Sequence, residues 1–315
     1  VKRLVTAAVG LTLFAHAGCD SVEVSPGYAR PIQAQGAQFF DSPLPGSPPD
    51  TTGEVAGPTV TAIELDNTVI YPGATNERAS GRVQDDAVAI AIALPTIAPV
   101  HWVFPAEGPT PEFPGELTWG TRLSFDRHIA PGLHPLRAVG IDAAGHAGRQ
   151  YEVELCFPPP YPDNLNACDP TQAPPDMVIT LEWDRDADVD LELVDPDGRR
   201  IDPKHSVAVA PMGGMVDRDA ARLDRDSLRD CAPDGWRRES IAFSTLPTGH
   251  WGVFARLFDG CGESSVRYRL TVLLAQGEGT DRHLAPVRQQ AGMFVSQYDA
   301  DLGAGPGTLL VNLDL

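Results

Sequence analysis

From residue 57 onward the apolar residues fall into short stretches with a two-residue period. Val60-Thr61-Ala62-Ile63-Glu64-Leu65 alternates, and so does Val189-Asp190-Leu191-Glu192-Leu193-Val194. Side chains of an extended chain point to opposite faces in turn, so each stretch predicts a strand with one apolar face. Residues 87–94 are apolar throughout and also read as a strand. Further strands are predicted at 80–83, 101–104, 117–125, 151–155, 177–183, 240–246, 250–258, 266–274 and 308–315. Turn residues separate them, most clearly Asp195-Pro196-Asp197-Gly198 and Pro247-Thr248-Gly249. The polar segment 199–239 reads as a long, partly ordered loop crossing between sheets. Short strands with a turn about every ten residues predict an all-β chain of stacked antiparallel sheets.

Composition divides this pattern into domains. The chain carries 30 Gly and 30 Pro, which argues against long helices. Residues 57–157 and 175–315 each have the length of one sandwich, with a Pro-rich linker at 158–174. Residues 19–56 have many prolines and no sustained period, and read as a flexible tether. Stretched as polyproline, at about 3.1 Å per residue, the tether spans on the order of 100 Å.

The N-terminus has the order of an export signal. Lys2 and Arg3 precede an uncharged apolar run, which ends in Ala15-His16-Ala17-Gly18-Cys19. The run is too short to span a bilayer. The segment resembles a bacterial lipobox, with His16 where Leu is usual. The resemblance implies a signal peptide of residues 1–18 and diacylation of Cys19; ordinary secretion and an uncleaved anchor are the other readings.

Residues 131–148 run Pro-Gly, strand, Asp-Ala-Ala-Gly and are followed by the strand at 151–155. This hairpin resembles the end of bacterial immunoglobulin-like domains. Farther on, Leu181-Glu182-Trp183-Asp184 and Asp188-Val189-Asp190-Leu191 precede Asp195-Pro196-Asp197-Gly198. With Gly213-Gly214, Leu223-Asp224-Arg225-Asp226-Ser227, Cys231 and Glu239-Ser240-Ile241, this resembles an uncharacterised β-sandwich domain of exported bacterial proteins. The two resemblances imply an immunoglobulin-like sandwich followed by a jelly-roll-like or related one.

Net charge is −19. Nucleic acid is therefore not an expected partner, and basic attachment to anionic lipid is excluded as well. The remaining expected contacts are the membrane, through the lipid, and an envelope protein or glycan. Besides Cys19 there are Cys156, Cys168, Cys231 and Cys261. In an oxidising compartment four cysteines predict two disulfides, with three possible pairings. The sequence-local pairs, Cys156–Cys168 and Cys231–Cys261, are favoured.

Charge placement adds one candidate site. Asp188, Asp190 and Glu192 share one face of their strand, while Asp224, Asp226 and Glu239 converge from the long polar segment. Asp188, Asp190, Asp224, Asp226 and Glu239 are the candidate ligands for calcium, a cation that prefers oxygen donors. The Gly and Glu positions of an EF-hand are missing. The competing reading is a solvated acidic face paired with the interleaved arginines. No Gly-x-Ser-x-Gly elbow, His-Glu-x-x-His helix or phosphate-binding loop occurs in the sequence. The sequence therefore reads as a non-enzymatic envelope lipoprotein. The alternatives are a calcium-stabilised carbohydrate-binding module and an accessory part of an envelope hydrolase system.

Overall fold

The computed structural model describes residues 30–207, 221–246, 248–304 and 307–315. The signal segment and Cys19 lie outside the described residues. The described chain is nearly all β, and its named strands pair antiparallel in four sheets.

The first sandwich contains β1 (Ile32–Ala34), β2 (Gln38–Phe40), β3 (Val60–Leu65), β4 (Glu77–Gln84), β5 (Ala87–Ala93), β6 (His101–Pro105), β7 (Glu116–Phe125), β8 (Gly132–Asp142) and β9 (Tyr151–Phe157). One sheet has the order β1-β7-β4-β3 and the other β2-β6-β5-β8-β9. The strands β3, β4 and β7, with β1 beside them, occupy the places of A, B, E and D in an immunoglobulin sandwich. The other sheet matches C″, C′, C, F and G.

Alternation builds the core between them. On β7, Trp119, Leu123 and Phe125 are buried while Gly120 and Arg122 are exposed. They meet Ile90, Ile92, Leu136 and Leu155 of the facing sheet. Gly81 is required opposite Trp119. A Cβ there would lie 2.0 Å from the Ala62 carbonyl oxygen and 2.5 Å from the indole ring.

The expected tether needs correction, because residues 30–56 belong to the first sandwich. Ile32 and Ala34 are buried, and β1 extends the β7 edge while β2 extends the β6 edge. Trp102 Nε1 donates to the Ile32 carbonyl oxygen at 2.7 Å. The Ser47 N–H donates to the Gly148 carbonyl oxygen. Three-residue edge strands are held by backbone hydrogen bonds, so they leave no apolar period in the sequence.

The second sandwich contains β10 (Met177–Trp183), β11 (Asp188–Val194), β12 (Arg200–Ile201), β13 (Arg222–Leu223), β14 (Arg238–Phe243), β15 (His250–Asp259), β16 (Ser265–Gln276), β17 (His283–Val295) and β18 (Thr308–Asp314). Its sheets have the orders β13-β14-β10-β16-β17 and β12-β11-β15-β18. Successive strands often change sheets, and β12 and β13 lie on opposite ones, so the long polar segment does cross the sandwich. Ile179, Leu181, Val189, Leu191, Val253 and Val272 fill the interior. Strand β17 is missing from the sequence reading. It is an edge strand with mostly exposed side chains, so no buried face marks it.

Both favoured disulfides are formed, Cys156–Cys168 and Cys231–Cys261. The first ties the end of β9 to the Pro-rich link. That link docks on the second sandwich, where Tyr161 packs with Val178, Leu273 and Leu284 on the outer face of the sheet.

Candidate metal centre

The site begins with the alternation of β11. Val189, Leu191 and Leu193 enter the core, which forces Asp188, Asp190 and Glu192 onto the opposite face. That face is covered. Asp188 is 3% exposed, Asp190 7% and Glu192 1%, so these acids are not a solvated row. The row lies at a strand with little edge cover, because β12 pairs only with Leu193 and Val194.

The segment before β14 closes over the open edge. Glu239 is fully buried there. Its Oε2 accepts the Leu191 N–H at 2.7 Å, and its Oε1 accepts the Ser227 N–H at 3.1 Å. One carboxylate thus fastens the crossing segment to β11 and brings the neighbouring Asp226 to the acidic row. A turn follows in which Leu228, Asp230 and Cys231 have positive φ, a costly backbone for residues other than glycine. The Cys231–Cys261 bridge anchors that turn to the start of the β15–β16 connection. The turn in turn points the Asp230 N–H at Asp188 Oδ2, 2.8 Å away.

The result is a cluster in which Asp188, Asp190 and Asp226 each place a carboxylate oxygen within 4.8 Å of the others. They border a cavity of about 180 Å³, with Asp202, Lys204, Asp230 and Arg256 on its rim. Burial first, then the neighbouring Asp226, Asp230 and Asp259 charges, push the Asp188 pKa up to about 6. Burial and the Asp188 charge push Asp190 up to about 7, against the opposing pull of Arg256. Burial likewise raises Asp226 and holds Glu239 well above the usual carboxylate range.

Arg256 stands opposite Asp190 across the β11–β15 pair. Its guanidinium lies 3.1 Å from Glu192 Oε2 but only 4.0 Å from Asp190 Oδ2. Arg200 lies 3.2 Å from Glu192 Oε1. Glu192 is therefore neutralised by two arginines, while the Asp188, Asp190 and Asp226 trio retains an excess of negative charge. Three hard oxygen donors from separate strands and a turn suit calcium better than a thiophilic ion.

Of the five ligands expected from the sequence, the fold gathers Asp188, Asp190 and Asp226. Glu239 supports them through backbone groups. Asp224 is elsewhere: its Oδ1 accepts the Ser240 N–H at 2.7 Å, and its Oδ2 faces Arg225. Asp202, Asp230 and Arg256 were missed. They come from distant turns and a partner strand, and only the register brings them near.

No protein-family model matches the chain, and no curated protein matches it. Among solved structures it is similar to the C-terminal domain of the Streptococcus agalactiae AgI/II polypeptide BspA. That alignment has 8% identity, covers 74% of this chain and 99% of that one, and has a TM-score of 0.24. It is also similar to dimeric latent PorU from Porphyromonas gingivalis, at 11% identity, 77% and 20% coverage, and a TM-score of 0.22. These likenesses are distant, and the all-β fold stands on the strand pairing described above.

Proposed function

We propose that this chain is a non-enzymatic cell-envelope lipoprotein, anchored through Cys19, whose two sandwiches act as a binding module for an envelope protein or glycan. The two disulfides carry this reading, because such bonds persist in oxidising compartments. The export-like segment 1–18 agrees with it. So does the architecture, since sandwiches fused through a bridged, docked link form a scaffold for displaying surfaces.

The test is metabolic labelling of the expressing bacterium with a clickable fatty acid. Label is expected on the wild-type chain and not on Cys19→Ala. An unlabelled chain recovered from the cytoplasm with free thiols would sink the reading.

A second reading, a calcium-stabilised carbohydrate-binding module, is favoured by the Asp188, Asp190 and Asp226 cluster. A ligand that binds only the native state stabilises it by about 2.7 kcal/mol at a hundredfold excess over Kd. Chelator-treated protein is expected to gain Tm on adding calcium, and Asp188→Ala to lose that gain. No shift at millimolar calcium removes this reading.

A further inference from the structure

The junction of the two sandwiches holds a second cavity, of about 290 Å³. Tyr71 of the first sandwich, Tyr161 and Pro162 of the link, and Arg225 and Arg238 of the second sandwich border it. Pockets between domains are common places for ligands.

Arg238 is the unusual member. It begins β14 and is only 5% exposed. Its Nε is enclosed by protein with no hydrogen-bond partner. The terminal nitrogen lies 3.8 Å from Asp224 Oδ2, beyond hydrogen-bond reach. A buried charge without a full set of partners is costly, and such groups call for an explanation.

The charge balance around it is uneven. Asp224 Oδ2 also faces Arg225 Nε at 3.4 Å, so two guanidinium groups share one carboxylate. Glu182 is the cross-strand neighbour of Arg238 on one side and of Arg269 on the other. Asp163 also borders the cavity, but its two oxygens accept the Leu165 and Ala167 N–H groups of its own turn. The wall formed by Arg225 and Arg238 thus keeps one positive charge in excess. Trp236 holds both groups in place, with its ring centroid 4.1 Å from the Arg225 guanidinium carbon and 4.9 Å from that of Arg238. Tyr71 meets the edge of the same indole at 5.7 Å.

We propose that this cavity binds a carboxylate-bearing sugar residue, with Arg225 and Arg238 holding the carboxylate and Tyr71 and Tyr161 flanking the ring. The proposal rests on the reading of the chain as a binding module and deepens it by naming the site and the ligand chemistry. A single excess charge suits a monoanion. The planar guanidinium fork matches a carboxylate. The volume suits one ring rather than a chain, and aromatic faces pack well against the C–H groups of a sugar.

The experiment is calorimetric titration of the full disulfide-bonded chain, in detergent, with sodium glucuronate, glucose and sodium sulfate in parallel. Glucuronate is expected to bind, with glucose and sulfate each weaker by about tenfold or more, the equivalent of one lost interaction. Arg225→Gln is expected to weaken glucuronate by about tenfold as well. Because Arg225 is less buried than Arg238, this variant reports on binding with the fold intact, as checked by an unchanged circular dichroism spectrum. Equal responses to glucuronate and glucose, preference for sulfate, or wild-type binding by Arg225→Gln would each overturn the proposal. Failure of glucuronate with fatty-acid labelling of Cys19 intact removes this site alone and leaves the envelope reading standing.

Discussion

Glu239 Oε2 accepts the backbone N–H of Leu191 at 2.7 Å, although the two residues lie in different sheets of the second sandwich. This single hydrogen bond closes the strand edge beside the acidic cluster. Its partner bond to Ser227 places Asp226. Glu239→Ala would orphan two buried N–H donors, so the expected loss is about 2–5 kcal/mol. Glu239→Gln keeps one acceptor and is expected to lose less. Urea unfolding followed by tryptophan fluorescence measures both, and equal losses would contradict the bracket role.

Stability in the absence of calcium is expected to fall as pH rises. Asp188 and Asp190 have raised pKa values of about 6 and about 7, against about 3.9 for an unfolded Asp. Between those limits the native state holds protons that the unfolded state has released, so the slope of stability with pH is negative. The loss begins near pH 4 and levels off above pH 7. Calcium, by favouring the ionised carboxylates, should flatten the curve at high pH. Thermal melts at several pH values, with calcium and with chelator, check the sign; a rise of chelated-protein stability over this window would refute it.

Asp190→Asn should behave in two opposite ways. It removes a buried charge, so the chelated protein is expected to melt higher at pH 8 than the wild type. It also removes a donor oxygen, so the gain from calcium should shrink. A variant that melts lower in chelator and keeps the full calcium gain would show that Asp190 has no part in the cluster.

The Cys231–Cys261 bridge spans 30 residues and anchors the strained turn beside Asp188. Loop-entropy reasoning puts its contribution at about 3–4 kcal/mol. The double Ser variant should lose about that much in denaturant unfolding and bind calcium more weakly, since the Asp230 N–H would no longer be held at Asp188. Unchanged calcium response in the folded variant would separate the bridge from the site.

Gly81→Ala is expected to destabilise the first sandwich by about 1–3 kcal/mol, because the added methyl group meets both a carbonyl oxygen and the Trp119 ring. A loss of less than a few tenths of a kcal/mol would mean that the β3–β4–β7 sheet gives way easily.

What the sequence determined by itself was local. Alternation at residues 60–65 and 189–194 marked strands, turn residues marked their ends, and the spacing of the cysteines favoured the two bridges that form. Strands without a buried face were not legible. Strand β17 has mostly exposed side chains, and β1 and β2 are too short for a period to develop, so backbone pairing alone revealed them. The acidic row on β11 was visible, but whether water reached it depended on Glu239 and the turn at Asp230, which fold over it from another sheet. The same limit separated Asp224 from its expected companions and set it beside Arg238. Periodicity records which face of one strand is apolar; burial of a charge is fixed by whatever distant segment covers it, and only the assembled sheets decide that.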